Sequence, residues 1–549
     1  MAREFLFLLI ITLLNISSVP AVIDKVQRSD FPCDFAFGVT TAAVEIEGAT
    51  DVDGKGESIW DHFVQTSPVK FKNGSLAVAC DSYRRYKEDI SMLKYMGVTS
   101  YRLSIPWTRI LPNGSLDGGV NKQGIDHYND VFNELKLNGI VPYVTLLHFD
   151  LPQALQDKYD GLLGKKFVDD FKDYCDVCFK HFGDKVKNWI TINEPTINAQ
   201  FGYGDGLAPP MRCSPSKGCK EGDSGREPYI VVHHILLAHA AAARLYNEKY
   251  KPKQGGEIGI SLLTNWYRPY SDSTKDLNAA DRMREFNYGW LMEPLQYGCY
   301  PLSMRNLVGD RLPKFTDEEK DMVTGSLDFL AINYYTSTYA KGLPLEIKKP
   351  YSWDTDSCVN TSLENAEGKT VGPLQDLNTK IAVDPDGLRE LLRYLTEKYD
   401  PPKIYITENG YGNSTENAAE FSSGKGNDHY RIKFIIDHLE AIKCARKEGA
   451  NVMGYFAWSL MDNLELLKNL GTSLRFGLWY TDYDNDFKRI PKASAEWYRT
   501  FLSQSQATPQ SQPSPLSQTS PKSKTSNKGS TIDAFSPYIF LSFVTFFLV

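Results

Sequence analysis

Two glutamates close apolar runs in this chain. Glu194 ends the β-branched stretch of "WITINEP" (189–195), and Glu408 ends that of "IYITENG" (404–410). A carboxylate at the end of a buried strand is costly unless something pairs with it or uses it. If both face one pocket, one carboxyl can stay protonated and donate to a leaving oxygen. The other can stay ionised and attack an anomeric carbon, the division of labour that glycosidic bond cleavage needs. Neighbours must then pull the two pKa values apart. Arg102 and a tyrosine hydroxyl beside Glu408 would favour its charged form, and the negative Glu408 would raise Glu194. The competing reading is a pair of structural glutamates at a barrel rim, where charges are ordinary.

The elements that must bring these residues together are legible as β-rich runs alternating with helical patterns. The runs are "FAFGVTTAA" (35–43), "VTSYRLSI" (98–105), "IVPYVTLLH" (140–148), "VKNWITIN" (186–193), "EIGISLLT" (257–264), "LDFLAINYY" (327–335), "KIYITEN" (403–409) and "VMGYFAWSL" (452–460). Several are nearly continuously apolar, as strands covered on both faces should be. Between them, "SYRRYKEDISMLKYMG" and "GIDHYNDVFNELKLNG" are apolar at helical spacing and end in glycine. Eight strand–helix units predict a single (β/α)8 TIM barrel with long βα loops, the stretch 336–402 being the main candidate. A doubly wound open sheet is the alternative. In a barrel, catalytic groups sit at the C-terminal strand ends. Those ends are polar here: Arg102, His148, Asn193 with Glu194, Asn333 with Tyr335, Glu408 with Asn409, and Trp458.

Of the 549 residues, 42% are hydrophobic, enough for one large core, and the net charge of -7 forms no basic stripe, which argues against nucleic acid as a partner. Residues 1–22, with Arg3, "FLFLLIITLL" and "SSVPA", have the layout of a secretory signal peptide; a buried first helix is the alternative. The catalytic domain is then 23–502. Residues 503–530 read as a Ser/Pro/Gln-rich stalk, and 531–549 as a hydrophobic segment shorter than the ~20 residues a spanning helix needs. Small residues upstream fit a GPI-attachment signal, with a short membrane anchor or an inert tail as the other readings. The expected location is the secretory pathway and then the cell wall or the outer face of the plasma membrane, with the vacuole or another endomembrane compartment as the alternative. Nine cysteines are too few for a disulfide scaffold, and the local pair Cys213 and Cys219 is the expected bridge. Four sequons outside the expected signal, at Asn73, Asn113, Asn360 and Asn413, agree with secretion.

The ordered strings "FPCDFAFGVTTAAVEIEGA", "YRLSIPWTRILPNG", "HFDLPQAL", "TINEP", "INYYTS", "YITENG" and "WSLMDNLE" resemble glycoside hydrolase family 1, and within it the plant β-glucosidases, over nearly all of residues 30–502. The resemblance implies a barrel fold, a retaining mechanism and no metal or organic cofactor. It makes Glu194 the acid/base and Glu408 the nucleophile, with Arg102 and Tyr335 holding the nucleophile. Asn193 would read the sugar 2-hydroxyl; His148, Trp458 and Glu465 match further glycone-binding positions, and Asn333 stands beside them. "APPMRCSPSKGCKEGDSGREPY" resembles the plant members' disulfide loop. Two positions depart from the family pattern. Glu45 stands where the family has Gln, and an ionised Glu accepts without donating. Leu466 stands where it usually has Trp, offering bulk without a donor. Weak, selective activity on simple glucosides and a shifted pH optimum are the expected results.

The leading expectation is a retaining β-glycosidase acting on small-molecule β-glucosides of plant secondary metabolites or on oligosaccharides, tied to a membrane by its lipid anchor. The alternatives are the same fold hydrolysing a non-glycoside such as hydroxyisourate, transglycosylation, and a non-catalytic sugar-binding protein. The last has no need of an acid, a nucleophile and its orienting arginine.

Overall fold

A computed structural model describes residues 26–67, 75–376, 379–416, 418–423, 425–466 and 471–504. Eight parallel strands form its centre: β1 (Ala36–Thr40), β2 (Ser100–Ser104), β3 (Val141–Leu147), β4 (Asn188–Asn193), β5 (Glu257–Pro269), β6 (Phe329–Gly342), β7 (Ile404–Asn409) and β8 (Val452–Trp458). Pairing runs from β1 round to β5 on one side and through β8 and β7 to β6 on the other. The β5–β6 ladder then closes the ring. That closure excludes the open sheet. Both faces of each strand are covered, which is why most of the runs are continuously apolar rather than alternating.

Inward-facing side chains fill the barrel. Ala36, Tyr143, Ile190, Phe329, Ala331, Tyr405 and Phe456 form one internal cluster, while the outward-facing Trp189 and Ile192 belong to the much larger core shared with the helices. The two helices expected from periodicity form as Ser82–Met96 and Lys122–Leu137. The first ends at Gly97, whose φ of 72° is a left-handed conformation that glycine adopts without a Cβ clash. The second is capped by Asn121, whose side chain accepts from the Gln123 N–H.

Strands β5 and β6 outrun the ends expected at 264 and 335. Above the barrel mouth they keep pairing with each other, from Trp266 with Ser337 to Pro269 with Ala340, after a register shift between Thr264 and Trp266. Val359–Ser362 adds an antiparallel strand to the far end of β6. These extensions, "NWYRP" and "TSTYAKG", are polar and apolar by turns because the ribbon is only half covered, so they lack the continuous apolar signature of the barrel portion. The stretch 336–402 is therefore not a plain loop. It contains the ribbon, Val359–Ser362 and the helix Pro385–Tyr399.

The Cys213–Cys219 bridge is formed. Asn113 and Asn360 are exposed and Asn413 is half-buried, whereas Asn73 lies outside the described residues. So do the expected signal peptide, the stalk beyond Gln504 and the hydrophobic tail.

Gly38, on β1, shows how tight the barrel is. A Cβ there would stand 2.4 Å from the Phe456 ring and 2.7 Å from the Ser100 carbonyl oxygen, and the latter belongs to the paired strand and cannot yield. Gly38→Ala should destabilise the fold by about 1–3 kcal/mol through overpacking, read as a lower midpoint in denaturant unfolding.

Candidate active site

The chain leaves β4 through Glu194 and enters the helix Pro195–Tyr203 at once, Pro195 occupying the first helical position, where a missing N–H is tolerated. The turn puts Glu194 at a φ of 44°, a left-handed conformation costing roughly 1–2 kcal/mol for a residue with a Cβ. Its N–H is tied to the Ser261 carbonyl of β5 at 2.8 Å. The side chain is buried at the barrel mouth, together with that of Glu408 from β7.

A continuous hydrogen-bond chain links the two carboxyls. Arg102 on β2 donates from Nη1 to Glu408 Oε1 at 2.6 Å and from Nη2 to Asn193 Oδ1 at 2.7 Å. Its Nε donates to Thr145 Oγ1 at 3.1 Å. Asn333 donates to that same Asn193 oxygen at 3.1 Å and to Glu194 Oε1 at 2.8 Å. The Asn333 oxygen in turn accepts from Ser261 and Thr407 at 3.0 and 2.8 Å. Tyr335 donates its hydroxyl to Glu408 Oε2 at 2.8 Å. With Asn193 Oδ1 occupied by two donors, its amide nitrogen donates to His148 Nε2 at 3.0 Å. That fixes the imidazole proton on Nδ1, which has no protein acceptor among the described residues. Burial, and then the Arg102 charge, push the His148 pKa well below its usual value. Its Nε2 stands 4.0 Å from Glu408 Oε1 without being an ion-pair partner, because the ring is neutral.

Burial is the first cause of the perturbed acidity of both glutamates. It raises Glu194 to about 8, and the charge of Glu408 adds to the rise while Asn333 and Arg102 oppose it. The sequence reading made Glu408 the main cause; desolvation outweighs it. Glu408 is also raised by burial, against the opposing pulls of Arg102, Tyr335 and Asn333. Of the two, Glu408 alone has a cation within hydrogen-bond distance among the described residues, so it is the one that ionises first.

Two further carboxyls close the deep end. Glu465, raised to about 8 by burial and then by Glu408 and Asp462, takes hydrogen bonds from Trp458 and Asn463. Glu45 accepts from Asn463 Nδ2 at 2.9 Å, and the Leu466 backbone N–H also reaches it. Glu194, Tyr335 and Glu465 line one end of a cavity of about 420 Å³. Its remaining walls are largely apolar, built by Phe201, Phe286, Trp290, Trp353 and Phe476 among others.

The sequence of residues 27–507 matches the model of "Glycosyl hydrolase family 1". β-Glucosidase 24 of Oryza sativa subsp. japonica is 46% identical over 482 residues, covering 87% of this chain and 95% of its own. A furostanol glycoside 26-O-β-glucosidase of Hellenia speciosa is 50% identical over 480 residues, covering 86% and 83%. The crystal structure of a rice Os3BGlu6 β-glucosidase superposes with a TM-score of 0.82 at 43% identity, covering 87% of this chain and 99% of that one. The chain belongs to glycosyl hydrolase family 1. It is accordingly an O-glycosyl hydrolase on a (β/α)8 barrel.

The family motifs thus bring Arg102, His148, Asn193, Glu194, Asn333, Tyr335, Glu408, Trp458 and Glu465 to one barrel mouth. Leu466 meets Glu45 through its backbone, and its side chain packs in the main apolar core. Sequence reasoning missed Asn463, the amide between Glu45 and Glu465, although its place in "WSLMDNLE" was a signal. It also missed Asp462, held by Arg475 at 3.0 Å and Lys492 at 2.8 Å, which anchors that segment. The aromatic wall had no signal, because its members come from widely separated segments.

Raised acidity makes a stability prediction. Between the ordinary value of 4.5 and about 8, folded Glu194 holds a proton that the unfolded chain releases. Its contribution therefore lowers stability as pH rises through that window. Glu194→Gln should show a smaller fall in Tm across it than the unmutated enzyme. An identical pH dependence would mean that Glu194 is ionised in the fold.

Proposed function

We propose that this enzyme is a retaining β-glucosidase acting on β-glucosides with bulky, largely apolar aglycones of the plant secondary-metabolite class. Glu408 attacks the anomeric carbon, forming the glycosyl–oxygen bond as the glycosidic bond breaks. Glu194 delivers its proton to the departing oxygen. Water then attacks the same carbon, Glu194 takes its proton, and Glu408 is released. The observation that carries this reading is the asymmetry of the two linked carboxyls: Glu408 is gripped by Arg102 and Tyr335, whereas Glu194 takes only a neutral amide donor. The His148 Nδ1–H, Asn193, Trp458 and Glu465 contact the glycone.

The aglycone half of the reading rests on the apolar walls of the cavity. It is supported by the furostanol glycoside specificity in one relative's name. It is also supported by a mutant of the rice Os3BGlu6 enzyme solved in a covalent complex with Glc from GA4GE. A screen of chromogenic β-glycosides against residues 23–502 tests it. Turnover of none of them, with ring opening of a hydroxyisourate, would overturn it.

Two substitutions test the roles. General acid assistance contributes on the order of 10² to 10⁴ in rate, so Glu194→Gln should slow glucosides with poor leaving groups by that range and activated aryl glucosides far less. Glu408→Gly should abolish turnover while the protein stays folded, and the first product released by the unmutated enzyme should be the β-anomer. Equal losses on both leaving-group classes, or an inverted first product, would contradict the assignment.

The same reading places the enzyme outside the cell, delivered by residues 1–22 and held at the surface by a GPI anchor added near the tail. The exposed sequons at Asn113 and Asn360 and the Cys213–Cys219 bridge are consistent with that route. Phospholipase treatment of intact cells should release the enzyme, and truncation after Leu502 should secrete it; material retained after phospholipase would favour an uncleaved apolar anchor.

A further inference from the structure

Glu45 and Glu465 form a pair for which the double displacement has no direct use. Glu45 sits on the short helix Ala43–Ile46 that follows β1, and Glu465 in the segment that follows β8. They are 5% and 8% exposed. One amide lies between them: Asn463 Nδ2 donates to Glu45 Oε2 at 2.9 Å and stands 3.5 Å from Glu465 Oε1. The amide nitrogen also faces the Leu464 carbonyl oxygen at 3.4 Å, an acceptor that the amide oxygen could not face, and Oδ1 lies 2.9 Å from Ser459 Oγ. No lysine, arginine or histidine forms an ion pair with either carboxyl among the described residues.

The surrounding charges do not relieve the pair. Glu408 on β7 and Glu194 after β4 face Glu45 with the same sign, and Asp462 faces Glu465 from behind. Arg102, the cation of the barrel mouth, is committed to Glu408. Arg475 and Lys492 are committed to Asp462, and His148 is neutral. Two buried like charges without a cation do not both ionise; one keeps a proton. A protonated carboxyl is a donor as well as an acceptor. The pair therefore carries at most one charge, and of its two members Glu465 lines the cavity.

We infer that Glu45 and Glu465 share one proton across Asn463, and that Glu45 is a positioning residue whose loss of that proton sets the upper pH limit of glycone binding. This rests on the glucosidase reading only for its kinetic consequence; the shared proton itself does not. Below the release pH the pair carries at most one charge. Above it, both carboxyls are ionised, and the second charge acts on the glycone through Glu465, which lines the cavity, so KM rises.

The test separates KM from kcat. With a neutral aryl glucoside, KM of the unmutated enzyme should rise by up to about tenfold per pH unit above the release, the slope of one linked proton. In Glu45→Gln, Glu465 loses its like-charged neighbour and ionises at lower pH, so KM should vary less than about twofold over the same alkaline range. The alkaline limb of kcat, set by Glu194, should remain in both. A KM independent of pH in the unmutated enzyme, or an undiminished KM limb in Glu45→Gln, would overturn the inference. Infrared difference spectra recorded across the same pH range supply a readout that needs no turnover. In Glu194→Gln, which removes the band of the acid, the carbonyl stretch of a buried protonated carboxyl should still be present at neutral pH, fade at alkaline pH and be lost when Glu45→Gln is added. Persistence of that band in the double variant, or its absence from Glu194→Gln, would overturn the shared proton. If neither form hydrolyses any glucoside, the proposed activity fails, and the infrared band alone decides the pair.

Discussion

A guanidinium with no solvent exposure sits at the mouth of this barrel, and the rest of the site is arranged around satisfying it. Arg102 has Glu408 on Nη1, Asn193 on Nη2 and Thr145 on Nε. Removing either partner of a buried ion pair strands the other charge, which is far more costly than an exposed pair would be. The geometry is therefore over-determined: Asn193 must point its oxygen at Arg102, so its nitrogen must face His148, so His148 must carry its proton on Nδ1. One cation dictates the orientation of an amide and the tautomer of an imidazole.

That single cation also explains how acidity is divided. Glu45, Glu194, Glu408 and Glu465 are all buried, and desolvation raises every one of them. Placing the positive charge against Glu408 lets it ionise first and leaves Glu194 to hold its proton. Like-charge repulsion sharpens the division but does not create it. An enclosed site with several carboxyls and one arginine will separate its acid from its nucleophile by burial first.

Specificity is built from other material. The barrel supplies the reacting groups on short strand ends. The two strands that overshoot it, β5 and β6, together with segments such as Trp353 and Phe476, supply the apolar cavity above. Substrate choice can change in these parts without disturbing the Arg102 network, as expected of a barrel whose loops carry its variation.

Much of this was determined by the sequence alone. Continuous apolar runs ending in polar residues specify buried parallel strands with functional ends, and the motifs around Glu194 and Glu408 name the chemistry, because both signals are local: the period of a strand, and a residue beside it. The lengths of β5 and β6 were not legible, since above the barrel their pattern is that of a half-covered ribbon whose partner is distant in the chain. Nor was the order of causes behind the acidity of Glu194, because desolvation depends on everything packed around a group rather than on its neighbours in sequence. The same holds for Glu45. As a letter in a string it was an acceptor replacing a donor; only the fold sets it against Glu465 and Asn463 with no ion-pair partner among the described residues, the arrangement from which the shared proton is inferred.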